Sequence, residues 1–228
     1  GLIFLPCNIC TFRVKTKNNR YSARSVIVAT GRRFKKLGIP GEDRFLHKGV
    51  SDCTVCDGPL FKGRTVAVIG GGRTGLFGTL FLLDIAKKIY LIEKSSRIKT
   101  EGGMRQFAGI IKRNKKVTIM TNASPQEFRG NRFVREIVLK KAGRVRKLPI
   151  DGIFVEIGYV PNTGFVDGLV VMNSRDEIVV DAEGRTSVPG LFAAGDVTNV
   201  REKQIVVSVG EGAKAALSAV LYLEETRK

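Results

Sequence analysis

The chain has 228 residues, 43% hydrophobic and 26% charged, with 26 Gly, 7 Pro and 4 Cys, which excludes disorder and collagen-like repetition. At this length a core forms without a disulfide scaffold, and two modest domains are expected rather than one. A balance of 39 Lys+Arg against 21 Asp+Glu gives a formal charge of +18, but the cations recur from Lys15 to Lys147 without one dominant block, so a basic solvated surface is expected over a nucleic-acid groove.

Taken in chain order, the opening Gly-Leu-Ile-Phe-Leu-Pro lacks Met and any basic stretch and reads as neither signal peptide nor anchor, but as a start within a longer protein. Phe12 to Lys17 alternates apolar and polar residues, an exposed-face strand turning at Lys17-Asn18-Asn19. Arg24 to Gly31 and Arg64 to Ile69 are β-branched runs that read as buried parallel strands. After the second, Leu76, Leu80, Leu83 and Ala86 fall at helical spacing and predict a helix to about Lys87, and Lys88 to Glu93 then completes a βαβ unit. A helix near Met104 to Lys112, a strand at Val117 to Met120, β-rich pieces through Val138 and Phe154, and a closing helix over Glu211 to Glu225 follow. No continuous apolar run reaches the ~18 residues that cross a bilayer.

Gly70-Gly71-Gly72-Arg73-Thr74-Gly75 is the first chemical signal. Gly70 permits the tight turn out of the strand, Gly72 lets a pyrophosphate approach the backbone, and Gly75 allows close helix-on-strand contact, with Arg73 and Thr74 opening the helix whose free N–H groups receive the anion. The loop follows a strand, opens a helix, and is followed by an acid, Glu93, at the end of the next strand, so dinucleotide binding is expected over a plain Gly-rich turn. Glu93 favours an unphosphorylated ribose, whereas Lys94, Arg97 and Lys99 could neutralise a 2′-phosphate; both NADH and NADPH stay open.

Asp52-Cys53-Thr54-Val55-Cys56-Asp57 is the second signal. A two-residue gap lets both sulfurs meet, and CxxC near a βαβ unit reads as a dithiol/disulfide redox pair with Asp57 as an adjacent proton carrier. Cys7 and Cys10 form a second CxxC and leave a four-thiolate zinc site as an alternative; the 42-residue gap between Cys10 and Cys53 is too long for common zinc ribbons, and no metal is expected.

Several pieces together resemble one family: Val28-Ala29-Thr30-Gly31, Gly38-Ile39-Pro40-Gly41-Glu42, the Cys53 to Gly63 segment, Val66 to Gly72, Gly158 to Thr163, Thr186 to Val197, and Lys203-Gln204-Ile205 before Gly210 to Ala213. In that order they resemble the low-molecular-weight thioredoxin reductases and, more closely, the flavoprotein subunit of alkyl hydroperoxide reductase, over almost the whole chain.

The resemblance implies an α/β protein of two Rossmann-like three-layer domains. An NAD(P)-binding domain, residues 33–162 with the redox CxxC, is inserted into a truncated FAD-binding domain, residues 1–32 and 163–228. It implies that Cys56 faces the flavin, that Cys53 exchanges with a protein disulfide, and that Asp57 is the acid/base. Thr30, Gly31, Gly195, Asp196, Lys203, Gln204 and Ile205 then belong to the FAD site, Asp196 at the ribityl-phosphate and Gln204 and Ile205 near the ring. Electrons would pass from NAD(P)H through FAD and the Cys53/Cys56 pair to a thioredoxin-like or peroxiredoxin-type disulfide protein. A cytoplasmic homodimer without nucleic-acid or membrane partners is expected; a flavin-free nucleotide-binding relative is the rival. The sequence departs from the family in three places: no FAD-type glycine loop precedes Cys53; Arg73, Phe77 and Gly78 stand where relatives tend to carry Asn, a Glu near the nicotinamide and a helix former; and Glu93-Lys94-Ser95 replaces the His-Arg-Arg of thioredoxin reductases.

Overall fold

The computed structural model describes residues 2–5, 11–98 and 103–227; Cys7, Cys10 and Lys99 lie outside them. The chain opens with an antiparallel meander, β1 (Leu2–Leu5), β2 (Thr11–Lys15) and β3 (Arg20–Ala23), followed by β4 (Val26–Val28) and β5 (Arg32–Phe34). Next come α1 (Glu42–Phe45), β6 (Val50–Ser51), α2 (Thr54–Asp57), β7 (Thr65–Ile69), α3 (Arg73–Leu82), β8 (Lys88–Ile92), α4 (Met104–Arg113) and β9 (Val117–Met120). A second meander, β10 (Ala123–Gly130), β11 (Val134–Lys141) and β12 (Arg144–Pro149), precedes β13 (Gly152–Val155), β14 (Tyr159–Pro161), β15 (Leu191–Ala193) and α5 (Ile205–Glu225). Two units result, one of Gly1–Arg33 with Tyr159–Lys228, the other of Phe34–Gly158.

The Phe34–Gly158 unit is built on a five-stranded parallel sheet in the order β6-β13-β7-β8-β9. Alternation along β7 divides its two cores: Val66 and Val68 face Leu76 and Leu82 of α3 and Ala108 and Ile111 of α4, while Ala67 and Ile69 face Phe128, Ile137 and Leu139 of the β10–β12 meander. Residues of β7 are buried on both faces, which is why the run carries no polar alternation. The helix after the glycine loop stops at Leu82 rather than continuing to Lys87. Ile85 and Ala86 N–H both turn back onto Leu82 O, and Lys87 N–H bonds Arg64 O, because the chain must reverse to enter β8. Leu83 and Ala86 thus join the core from a turn that mimics helical spacing.

In the other unit, strand pairing is confined to Val26–Val28 of the expected Arg24 to Gly31 run, where β4 lies parallel to β15. Phe12, Val28, Val166, Ile178, Leu191, Ala193 and Val197 make one core. Phe192 and Ala194 pack against Ala215, Ala219 and Tyr222 of α5. That helix starts at Ile205, six residues before the expected Glu211, with Gln204 as its N-cap residue. Its β-branched opening and Gly210 and Gly212 hide the first turns from a propensity argument. Over an 18-residue window α5 reaches a mean hydropathy of 1.4, which by length and composition alone suffices for a membrane-crossing helix. The Glu211–Lys214 ion pair interrupts the apolar sequence.

Candidate functional site

In the Phe34–Gly158 unit the glycine loop and the CxxC segment share one framework. Two of the glycines are demanded by the loop itself: a Cβ on Gly70, whose φ is 117°, would stand 2.3 Å from Glu156 O, and one on Gly75 would stand 1.8 Å from Gly70 O. A Cβ on Gly72 would meet nothing within 4 Å. Gly72 is also the N-cap residue of α3, and no side-chain hydrogen bond caps the first turn at Arg73 and Thr74. That is a cradle for an anion. Thr74 Oγ1 donates to Glu156 O (3.0 Å), fixing the loop to the end of β13.

Glu93 lies at the end of β8, 7% exposed, and accepts from Gly71 N–H (2.6 Å) through Oε2 and from Ser95 N–H (2.7 Å) through Oε1. A Cβ on Gly71 would stand 2.8 Å from that Oε2. The acid therefore braces the glycine loop as well as standing at its mouth. Lys94 is exposed beside it.

Cys53 and Cys56 form a disulfide with Cα atoms 5.3 Å apart. Cys53 is the N-cap residue of α2 and its Sγ accepts from Cys56 N–H (3.2 Å). Cys56 is exposed, and Cys53 and Asp57 are half-buried. The short helix lies against α3: a Cβ on Gly78 would stand 2.8 Å from both Cγ2 and Oγ1 of Thr54. Gly78, a helix-weakening choice by propensity, is thus the position that lets the disulfide segment approach the glycine-loop helix. Phe77 is 54% exposed.

Sequence reasoning missed Glu156. Its Oε1 accepts from Thr54 Oγ1 (3.0 Å), while its backbone O accepts from Thr74, so one residue ties the disulfide segment to the glycine loop. The only sequence signal is an acid closing the buried run Gly152 to Val155.

The remaining predicted residues lie in the other unit. Thr30 Oγ1 donates to Asn162 O (2.8 Å), and Gly31, at φ 64°, accepts from Asn162 N–H (3.0 Å). Asp196 is held by Arg32 (Nε–Oδ2 3.0 Å) and by Ser208 Oγ (3.3 Å), and Gly195 has φ 75° with Ser208 against it. Arg32 lies over the Tyr159 ring, 3.6 Å from its centroid. Gln204 and Ile205 are exposed at the N-terminus of α5, Ile205 by 84%.

Lys203 points inward instead. Its side chain is 6% exposed; Nζ pairs with Glu177 Oε1 (3.3 Å) and donates to Asp196 O (3.2 Å) and Thr198 O. Glu177 is fully buried and also accepts from Arg175 (2.7 Å) and Asn173 (2.7 Å). Burial pushes the Lys203 ammonium below its usual range despite Glu177. Burial alone would raise Glu177, but Asn173, Arg175 and Lys203 outweigh it and hold the carboxyl below the usual range.

A family model described as pyridine nucleotide-disulphide oxidoreductase matches residues 7–212. The F subunit of alkyl hydroperoxide reductase from Pseudomonas aeruginosa is 43% identical over 207 residues, covering 90% of this chain and 39% of that protein. Its namesake from Staphylococcus epidermidis is 41% identical over 214 residues, 92% of this chain and 42% of that protein. The chain spans about two-fifths of the length of these relatives. Among solved structures, the thioredoxin reductase of Streptococcus pyogenes superposes with a TM-score of 0.88 at 32% identity, over 97% of this chain and 72% of that one. The thioredoxin reductase of Giardia duodenalis gives 0.85 at 29% identity, over 95% of this chain and 71% of that one.

Proposed function

The chain belongs to the pyridine nucleotide-disulphide oxidoreductase family, and from that premise we propose that it carries the NAD(P)H-binding and dithiol part of a disulfide reductase, passing electrons through FAD and Cys53/Cys56 to a protein disulfide. The observation that carries this reading is the joining of the Cys53–Cys56 disulfide segment to the glycine-loop helix within one unit, through Thr54, Gly78 and Glu156. The uncapped N-terminus of α3 at Gly72 fits the pyrophosphate of the dinucleotide, and Glu93 the adenosine ribose.

In the other unit, Thr30, Gly31, Gly195, Asp196, Gln204 and Ile205 would hold the flavin, with Lys203 acting on the Asp196–Gln204 loop from beneath. When bound, the flavin and nicotinamide supply hydride and electron-pair chemistry that no side chain here can. The chain's own step is thiol–disulfide exchange. Once the disulfide is reduced, Cys56 N–H still points at Cys53 Sγ and favours its thiolate, so Cys53 attacks the partner disulfide and Cys56 resolves the mixed disulfide. Asp57 is the proton carrier at that segment. By the nature of the relatives named above, the partner is a thioredoxin-like or peroxiredoxin-type protein, and the whole protein is proposed to act as a cytoplasmic homodimer.

The test uses the chain's own dithiol. Chemically reduced wild type should reduce the disulfide reagent DTNB with two electrons per chain from Cys53/Cys56, and NADH titrated onto the chain should bind. Cys53→Ser and Cys56→Ser should each lose the reversible dithiol, whereas Cys7→Ser and Cys10→Ser should not. Equal loss in all four variants overturns the assignment.

A further inference from the structure

The basic charge is unevenly divided. Residues 34–158 hold 25 of the 39 Lys+Arg and 11 of the 21 Asp+Glu, a net +14, and the other unit holds the remaining +4. Within the basic unit the β11–β12 hairpin carries five cations in eight residues: Lys140, Lys141, Arg144, Arg146 and Lys147 flank the Ala142-Gly143 turn with no carboxylate between them. Lys141 and Arg144 stand directly opposite one another, a like-charge pairing that destabilises an antiparallel ladder. Among the described residues none of these five cations has an acidic partner; the ion pairs of this meander are Arg129–Glu127 and Arg135–Asp151.

The same hairpin presents an open edge. The sheet order is β10-β11-β12, and among the described residues nothing pairs the outer side of β12. Its parity follows from the turn. Ala142 (φ 48°) and Gly143 (φ 76°) make a two-residue loop with both residues left-handed, which closes on a hydrogen-bonded pair, here Lys141 and Arg144. Ile150 N–H on Arg135 O (3.0 Å), six residues along the same ladder, keeps that parity. Arg144, Arg146 and Leu148 therefore bond inward to β11. The N–H and C=O of Val145 and Lys147 point outward, and Val145 is 68% exposed. Pro149, without an N–H, ends the available edge.

We propose that the outer edge of β12 is a docking strand for an extended acidic segment of a partner protein, which adds to the β10–β12 meander as a fourth strand. Main-chain bonds at Val145 and Lys147 would set its register. Side chains alternate across the sheet, so Lys141, Arg144 and Arg146 lie on one face and Lys140 and Lys147 on the other. An incoming strand consequently meets positive charge on both faces, and acids on both faces are what it needs. The same cations repel basic strands and a second copy of this hairpin, and give a neutral strand no attraction, so the edge is selective rather than adhesive.

The probe is a fluorescein-labelled peptide of Glu, Val and Thr with glutamates on both faces, compared with its Lys-for-Glu counterpart by fluorescence anisotropy on the full chain. The acidic peptide should bind and the basic one should not. Raising salt from about 0.1 M to about 1 M, which shortens the screening length from ~10 Å to ~3 Å, should weaken binding at least tenfold. Val145→Pro deletes an outward N–H without removing a ladder bond and should weaken binding about tenfold with an unchanged circular dichroism spectrum and melting temperature. Lys147→Pro repeats the test at the second outward position, so misfolding of one variant leaves the other decisive. Wild-type binding by both proline variants, or no binding of the acidic peptide, overturns the proposal. So does a duplex DNA that displaces the peptide and binds the proline variants as tightly as wild type, which would make the hairpin a phosphate-binding surface instead.

Discussion

Replacing Lys203 by Met is the most informative single perturbation of the Tyr159–Lys228 segment, because it removes one charge of a buried pair and leaves the other. Glu177 is fully buried, Lys203 nearly so, and the cation that remains, Arg175, is 63% exposed. Removing one partner of such a pair costs about 3–5 kcal/mol, since the remaining charge stays in a low-dielectric site. Asn173 and Arg175 still bond Oε2, which puts the expected loss at about 3 kcal/mol. With a urea slope of about 2 kcal/mol/M, the unfolding midpoint followed by circular dichroism should fall by about 1.5 M. The double variant Glu177→Gln/Lys203→Met should cost less than the two single losses added together. The pH dependence has a fixed sign. Glu177 is depressed below its ordinary 4.5 in the fold, so its contribution is present above that value and is lost as pH falls through the folded value. Lys203→Met weakens the depression and should move the onset of acid unfolding to higher pH. A midpoint shift under about 0.5 M at unchanged slope, or strict additivity in the double variant, would refute the buried-pair account.

The glycine loop separates structural from ligand-facing roles: Gly75→Ala, whose Cβ would stand 1.8 Å from a backbone oxygen, should destabilise the Phe34–Gly158 unit by about 1–3 kcal/mol or more, whereas Gly72→Ala should melt like wild type and lose only NADH affinity by calorimetry. For Gly78→Ala, the helix-propensity gain of about 1 kcal/mol should be outweighed by the collision with Thr54; net stabilisation in a thermal melt refutes the close approach of α2 to α3. Wild type should bind NADH more tightly than NADPH by about tenfold, or 1.4 kcal/mol. Glu93→Ala should lower NADH affinity and thermal stability together, because the same carboxylate holds Gly71 and Ser95; tighter NADPH binding by the wild type would assign selection to the basic cluster at Lys94 and Arg97.

What is legible in the sequence is what repeats with a fixed period or a fixed spacing. The β7 run, the glycines at 70, 72 and 75, and the two-residue gap between Cys53 and Cys56 each express a local geometric demand, and local demands survive in a one-dimensional string. Glu156, Gly78 and Lys203 are opaque for the complementary reason. Glu156 matters because β13 ends beside both Thr54 and Thr74, residues 102 and 82 positions earlier in the chain. Gly78 looks like a poor helix residue until the segment that needs its empty face, 24 positions upstream at Thr54, is laid against it. Lys203 sits in a motif that suggests a cofactor contact, and its ammonium instead answers a carboxylate at Glu177 that nothing in the sequence marks as buried. The misjudged helix ends have the same origin. At Leu82 a return to the sheet overrides continuing apolar spacing, and α5, held by the packing of Ala215, Ser218 and Ala219, extends back through an exposed, β-branched and glycine-containing opening to Ile205. Side chains whose role is to join distant segments carry no periodic signature, so in this family member the glycines and cysteines of the candidate site can be read from spacing, while the residues that hold their segments together have to be read from the fold.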